Sequence, residues 1–250
     1  AKCSYENLHV HKACWVEPKA KKSEELKKLH RLDTPVESSR YHKPYVDGQI
    51  DYFIGITTPE LRKISKAWYK SISNKDLKTL ITHTIHEYRL LSLIILNDKM
   101  LKANLEEQKA IVEFYLDHLV HINNWDLVDV SAYSILGRYL YNIQDYSLLY
   151  EFSESTDLWI KRISIVATNY LIRQNEFSVT LDIVDSLLED THDLIHKANG
   201  WMLRNIGDKD RSLLTEYLYV HYNKVPRTTL RYAIEHYPEK QRKAILKGEF

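Results

Sequence analysis

The sequence predicts an all-α fold, a HEAT-like helical-repeat solenoid in which antiparallel helix pairs stack into a curved superhelix. Three observations predict it. Only six Gly and six Pro interrupt 250 residues, too few for the tight turns that many strands would need. Apolar residues recur at three- and four-residue spacing along most of the chain. The polar breaks between these stretches, such as QNEF at 174–177, GDKD at 207–210 and KVP at 224–226, are so short that successive helices must fold back as hairpins.

Taken in order, residues 1–22 fit no helical period and read as an N-terminal arm, followed by a single helical-repeat domain over 23–250. The arm holds Cys3, His9, His11 and Cys14. These are zinc-ligand types without the paired spacing of a zinc site, so no metal is expected. A first helix is predicted over 23–32. Thr58-Pro59-Glu60 reads as the start of the next, with Thr58 as cap, Pro in the first turn and an acid at the positive end of the dipole. Leu61, Ile64, Trp68 and Ile72 then follow at helical spacing. The same periodicity predicts helices over 75–83, 86–101, 105–120, 125–141, 145–153, 157–173, 177–188, 193–206, 210–222, 226–236 and 239–247. Paired, they form hairpins of about 30 to 45 residues, the size of HEAT-type repeats. No consensus word repeats from pair to pair, which leaves a compact irregular bundle as the alternative.

Composition excludes several function classes. Both cysteines lie in the first fifteen residues, so no disulfide framework can staple the chain, and a reducing, cytoplasmic setting is expected. The longest apolar run, LLSLIIL at 90–96, is far short of the roughly 20 residues that cross a bilayer. The start, AKCSYENLHVHK, lacks the apolar stretch of a secretory signal. The net charge of +1 is unevenly spread, with +4 on residues 1–44, −7 on 45–192 and +4 on 193–250. Two basic ends suggest a polyanionic partner, with a solvated charged face as the alternative.

Three places carry candidate chemistry. In HINNWDLVDVSAYSIL, residues 121–136, Trp125 and Asp129 stand four apart, so an indole and a carboxylate share one helix face and can address one ligand atom. A core Trp followed by a surface Asp would look the same. In DLWIKRISIV, residues 157–166, Arg162 interrupts an apolar helix, and its guanidinium must find an anion or solvent. In HKANGWMLRNIG, residues 196–207, Gly200 stands mid-helix beside Trp201, at about 1 kcal/mol of helix propensity. Close approach of another helix or of a ligand backbone would explain it. Lys197 and Arg204 flank Trp201 at helical spacing, one aromatic between two cations, as on a face that meets phosphates and a sugar or base.

NWDLVD, WIKRIS and KANGWMLR, in this order and at these separations, carry a resemblance. The sequence resembles the AlkD-like DNA alkylation repair family, the HEAT-repeat DNA glycosylases, from about residue 41 to 247. The likeness includes YFIGITTPELRKISK at 52–66, HEYRLLSLIIL at 86–96 and PRTTLRYAIEHY at 226–237. The resemblance implies a monofunctional alkylpurine glycosylase of base excision repair. Its substrate would be cationic N3- or N7-alkylated purines, of the 3-methyladenine and 7-methylguanine type, in double-stranded DNA. Position by position, it assigns Trp125 and Trp201 to the lesion site, Asp129 to the catalytic carboxylate and Arg162 to the cleft arginine. Asn199, where an apolar residue is usual, and Asn205, where an acid is frequent, depart from the family pattern.

The chemistry suits those residues. An alkylated purine already carries positive charge, so its bond to the sugar breaks without a general acid, and no cofactor is expected. Positive charge then moves onto C1′ and the ring oxygen, where a carboxylate stabilises it. Indole faces hold the cationic nucleotide, while Arg162, Lys197, Arg204, Arg227 and Arg62 are expected to contact the DNA, Arg162 and Arg204 by gripping phosphates. The chain is expected to act as a monomer on duplex DNA, away from membranes. Two other readings remain at this stage: a non-catalytic HEAT-like DNA-binding module and a protein-binding helical scaffold.

Overall fold

The computed structural model describes Leu26, Val36–Glu37 and residues 51–250. The arm with Cys3, His9, His11 and Cys14 lies outside the described residues, as does the helix predicted over 23–32 apart from Leu26, which is helical and buried. The described elements are all helical, save for one two-residue antiparallel ladder that pairs β1 (Val36–Glu37) with β2 (Tyr52–Phe53). That ladder is too short to leave a period in the sequence. A parallel bridge from Tyr52 to Ile85 carries it to the head of the third helix below.

The helices, in order, are α1 (Thr58–Trp68), α2 (Asn74–Ile81), α3 (His86–Met100), α4 (Leu105–Leu116), α5 (Trp125–Ser131), α6 (Arg138–Ile143) and α7 (Ser147–Ser153), then α8 (Leu158–Ala167), α9 (Asn169–Arg173), α10 (Ser178–Ser186), α11 (Asp193–Lys209), α12 (Arg211–His221), α13 (Arg227–Ala233) and α14 (Glu239–Ile245). The periodicity predicts most of these bounds to within a few residues, while the single helix expected over 157–173 divides into α8 and α9 at Thr168. Helices α3, α5, α8, α11 and α13 pack each on the next to form one row. Helices α4, α7, α10 and α12 alternate with them along the chain and cover the row, which is the arrangement of a helical-repeat stack.

Local departures from the expected boundaries have identifiable causes. The cap of α1 is Thr57, one residue before the expected Thr58, because Glu60 reaches back to the Thr57 backbone N–H at 2.9 Å and accepts its hydroxyl at 2.6 Å. The helix expected over 125–141 is interrupted by a π turn at Tyr133–Gly137, where the Gly137 N–H reaches Ala132 O at 2.9 Å. A Cβ on Gly137 would sit 2.1 Å from Ala167 O, so the glycine lets α8 approach. The break expected at 207–210 shrinks to Asp210 alone, whose carboxylate accepts the Leu213 N–H at 2.9 Å and caps α12. Gly207 stays helical and packs on Leu214.

Apolar burial fixes how each helix of the row is turned. Leu127 and Val128 of α5, Ile163, Ile165 and Val166 of α8, and Ile195, Ala198, Met202 and Leu203 of α11 are fully buried. With those faces committed to the core, the polar and aromatic residues of the same helices fall on the opposite flank. No described helix is long and apolar enough to cross a membrane.

Candidate active site

The head of α5 is set by Asn124, whose side-chain oxygen accepts the Trp125 N–H at 2.8 Å. Because Leu127, Val128 and Ser131 are buried, Trp125, Asp126 and Asp129 emerge together on the half-exposed flank. Trp125 keeps part of its indole packed on the core. Asp129 lies one turn further on, as the four-residue spacing required.

Across the seam between α5 and α8, Arg162 takes the Asp129 carboxylate in a two-pronged grip. Its Nε donates to Oδ1 at 3.0 Å and its Nη2 to Oδ2 at 2.8 Å. Nη1 donates to Leu194 O on α11 at 2.6 Å, so one guanidinium ties three helices of the row together. The Arg162 side chain is only 6% exposed while that of Asp129 is 20% exposed, which puts the cation inside and the acid toward solvent. Both carboxylate oxygens accept from N–H groups, the geometry of the ionised form. Burial nevertheless pushes the Asp129 carboxyl above its ordinary value, with Arg162 opposing the rise and Asp126, one turn back, adding to it.

On α11, Trp201 is half-buried against the core. The expectation that Gly200 permits close approach is met by a helix. A Cβ there would fall 2.4 Å from Tyr232 Cβ and 2.6 Å from Thr229 O, both on α13. Lys197 pairs with Asp193 at 2.7 Å, and Arg204 pairs with Glu235. Arg227, exposed at the head of α13, donates to Leu246 O at 2.9 Å, and Arg62 is exposed on α1. The structure therefore joins Asp129 to Arg162 directly, links them to the helix of Trp201 through Leu194, and sets Arg62 on α1, which packs on the first helix of the row, and Arg227 on α13, the last helix of the row. The departures Asn199 and Asn205 both turn inward: Asn199 is fully buried and donates to Leu187 O at 3.4 Å, and Asn205 donates to Asn169 Oδ1 at 3.0 Å.

Sequence reasoning missed two features beside this seam. The first is a buried charge cluster at the head of α3, where His86 bridges Asp51 (Nδ1 to Oδ2, 3.1 Å) and Asp126 (Nε2 to Oδ2, 2.7 Å). Arg89 donates to Asp51 and to Asn123, the latter at 2.6 Å. The signal was present in HEYR, four polar residues leading an apolar run, since all four are buried. The second is a pair of arginine–tyrosine stacks beyond the π turn, with Arg173 4.6 Å from the Tyr133 ring centre and Arg138 5.4 Å from that of Tyr170. These pairings join different helices, so no single stretch of sequence announces them. Among the described residues, no group of three or more His, Cys, Asp or Glu is placed to hold a metal ion.

The family model described as DNA alkylation repair enzyme matches residues 23–237. The chain belongs to the DNA alkylation repair enzyme family. No curated protein matches the chain. Among solved structures, a predicted DNA alkylation repair enzyme from Enterococcus faecalis superposes with a TM-score of 0.63 at 18% identity, covering 76% of this chain and 90% of that one. AlkD2 from Streptococcus mutans superposes with a TM-score of 0.53, also at 18% identity, covering 72% of this chain and 89% of that one. At that identity the superpositions establish the shared all-α repeat fold. Within the DNA alkylation repair family fold, the Asp129–Arg162 pair sits mid-row, where α5, α8 and α11 meet.

Proposed function

We propose that this protein is a monofunctional DNA glycosylase that excises cationic N3- or N7-alkylated purines from duplex DNA. The observation that carries the reading is the arrangement of Asp129 over Arg162. A surface built only to hold a polyanion would turn the arginine outward and the acid inward; here the order is reversed. A mostly buried carboxylate that is still more open to solvent than its counter-ion hinders plain affinity for phosphate, but it stabilises positive charge as that charge develops on the sugar. Membership of the DNA alkylation repair enzyme family supports DNA as the ligand.

In this reading Asp129 stands by C1′ and the ring oxygen, stabilises the oxocarbenium-like transition state and orients the attacking water. Arg162 acts behind it, holding the carboxylate ionised and aimed, in place of the phosphate contact expected from sequence. Trp125 and Trp201 offer indole faces to the cationic nucleotide and its sugar. Lys197 and Arg204 grip phosphates by exchanging their exposed carboxylate partners for DNA, an exchange that costs little because surface ion pairs are worth at most ~1 kcal/mol. Arg173 and Arg138, held by Tyr133 and Tyr170, extend the cationic track, and Arg62 and Arg227 extend it to the ends of the row.

The test is direct. Incubating the protein with methylated duplex DNA and analysing the free bases should reveal 7-methylguanine and 3-methyladenine with the backbone left uncut. Tight, salt-dependent DNA binding without base release would instead establish a non-catalytic DNA-binding module.

A further inference from the structure

The charge cluster at the head of α3 packs on the first turn of α5. Among the described residues its members are Asp51 and Phe53 from the segment before α1, His86, Glu87 and Arg89 from α3, and Asn123, Asn124 and Asp126 from the head of α5. Glu87 is committed elsewhere, accepting the Ile54 and Gly55 N–H groups at 3.0 and 2.8 Å. Both ring nitrogens of His86 face carboxylate oxygens, which only accept, and Nδ1 lies closer to Asp51 Oδ2 (3.1 Å) than to the Arg89 Nη2 donor (3.5 Å), so both nitrogens carry protons. The ring is therefore an imidazolium, only 2% exposed, with Phe53 stacked 4.7 Å away. With that charge, His86 and Arg89 balance Asp51 and Asp126. Without it, Asp51 and Asp126 lose the positive charge between them, and Asp126 lies one helical turn from Asp129. Asn124 completes the arrangement, because it donates to Asp51 Oδ2 at 2.8 Å while its oxygen caps α5.

Resting on the glycosylase reading above, we propose that His86 is a positioning residue for excision. Its cation locks the first turn of α5, and with it Trp125 and Asp129, and it neutralises Asp126 beneath the reacting carboxylate. Burial works against the charge, but the hydrogen bonds to Asp126 and Asp51 and their negative charges outweigh it, so the imidazolium persists up to about pH 9. Single-turnover excision of 7-methylguanine should then decline as pH rises through about 9. Replacing His86 by Gln removes the cation that faces Asp126, which raises the Asp129 pKa further and loosens the turn. The expected result is a rate lower by about tenfold at neutral pH, with unchanged affinity for undamaged duplex. The acid limb of the profile moves to higher pH and the alkaline decline disappears.

The double variant His86→Gln/Asp126→Asn separates charge balance from scaffolding. Removing both charges should restore most of the lost rate, whereas a purely structural role predicts a double variant slower than the single one. A wild-type rate and pH profile for His86→Gln, or a double variant slower than His86→Gln, overturns the proposal. A wild-type protein that releases no base at any pH would instead bring down the glycosylase reading, and the positioning role with it.

Discussion

Arg162 holds Asp129 from below: two parallel hydrogen bonds of 3.0 and 2.8 Å fix the carboxylate, and a third at 2.6 Å to Leu194 O fixes the guanidinium. The pair is asymmetric, with the arginine interior and the acid at the surface. Arg162 is thus fully engaged inside the protein. Arg162→Ala should leave a half-buried carboxylate without its counter-ion and lower stability by roughly 3 to 5 kcal/mol, measured by denaturant unfolding. The salt dependence of binding to undamaged DNA should hardly change. A slope shallower by about one would return Arg162 to a phosphate contact.

The raised Asp129 carboxyl predicts the acid side of the pH profile. Only the ionised form stabilises a developing cation, so excision should fall as pH drops, with a midpoint above the ordinary carboxylate value of ~4. In Arg162→Lys, a single ammonium replaces the two-pronged grip, and the midpoint should move higher still. A wild-type midpoint at or below the ordinary value contradicts the assignment.

Stability should carry the mark of His86. Its folded-state pKa lies above the unfolded value, so the stabilisation is fully present below about pH 6.5 and lost as pH rises through about 9. At ~1.4 kcal/mol per pH unit, the effect amounts to a few kcal/mol. Thermal melts across this window should show the loss in the wild type and a flatter response in His86→Gln.

Gly200 is held by α13. Alanine gains about 1 kcal/mol of helix propensity, but its Cβ would meet Tyr232 Cβ and Thr229 O at 2.4 and 2.6 Å. One of those atoms is backbone, so relief requires α11 and α13 to separate. Gly200→Ala should destabilise by about 1 to 3 kcal/mol in chemical denaturation. A neutral or stabilising effect would show that the helices part easily.

The arginine–tyrosine stacks predict DNA contacts of ordinary electrostatic character. Arg173→Ala should weaken binding to any duplex and reduce the salt slope by about one, with single-turnover excision at saturating protein unchanged. Tyr133→Leu should weaken binding less, because it removes the ring that orients the guanidinium and not the charge.

Much of this molecule is legible in its sequence for a physical reason. Amphipathic period fixes helices, and short polar breaks fix hairpins, so the repeat stack and most of the described boundaries follow from the sequence to within a few residues, while the single helices expected over 125–141 and 157–173 each divide. Trp125, Asp129, Arg162 and Trp201 stand out in the sequence because a four-residue spacing or a charge inside an apolar helix is a local signal, and the structure sets Arg162 on Asp129. The role of Arg162 was not local. Its turn away from solvent depends on Asp129 and on the Leu194 carbonyl, 33 and 32 residues away in the chain. The His86 cluster joins Asp51 to Asp126 across 35 and 40 residues and escaped for the same reason. The π turn at Tyr133–Gly137 and the two-residue ladder leave no period at all.

If Asp129 stabilises positive charge on the sugar, excision depends on the charge of its carboxylate. Single-turnover excision from a duplex containing one 7-methylguanine, compared between the wild type and Asp129→Asn, tests it most directly. The amide keeps the size of the side chain and removes its charge, so the account predicts a rate lower by about 10²- to 10³-fold with undamaged-DNA affinity nearly intact. An Asp129→Asn variant that excises at the wild-type rate would contradict it.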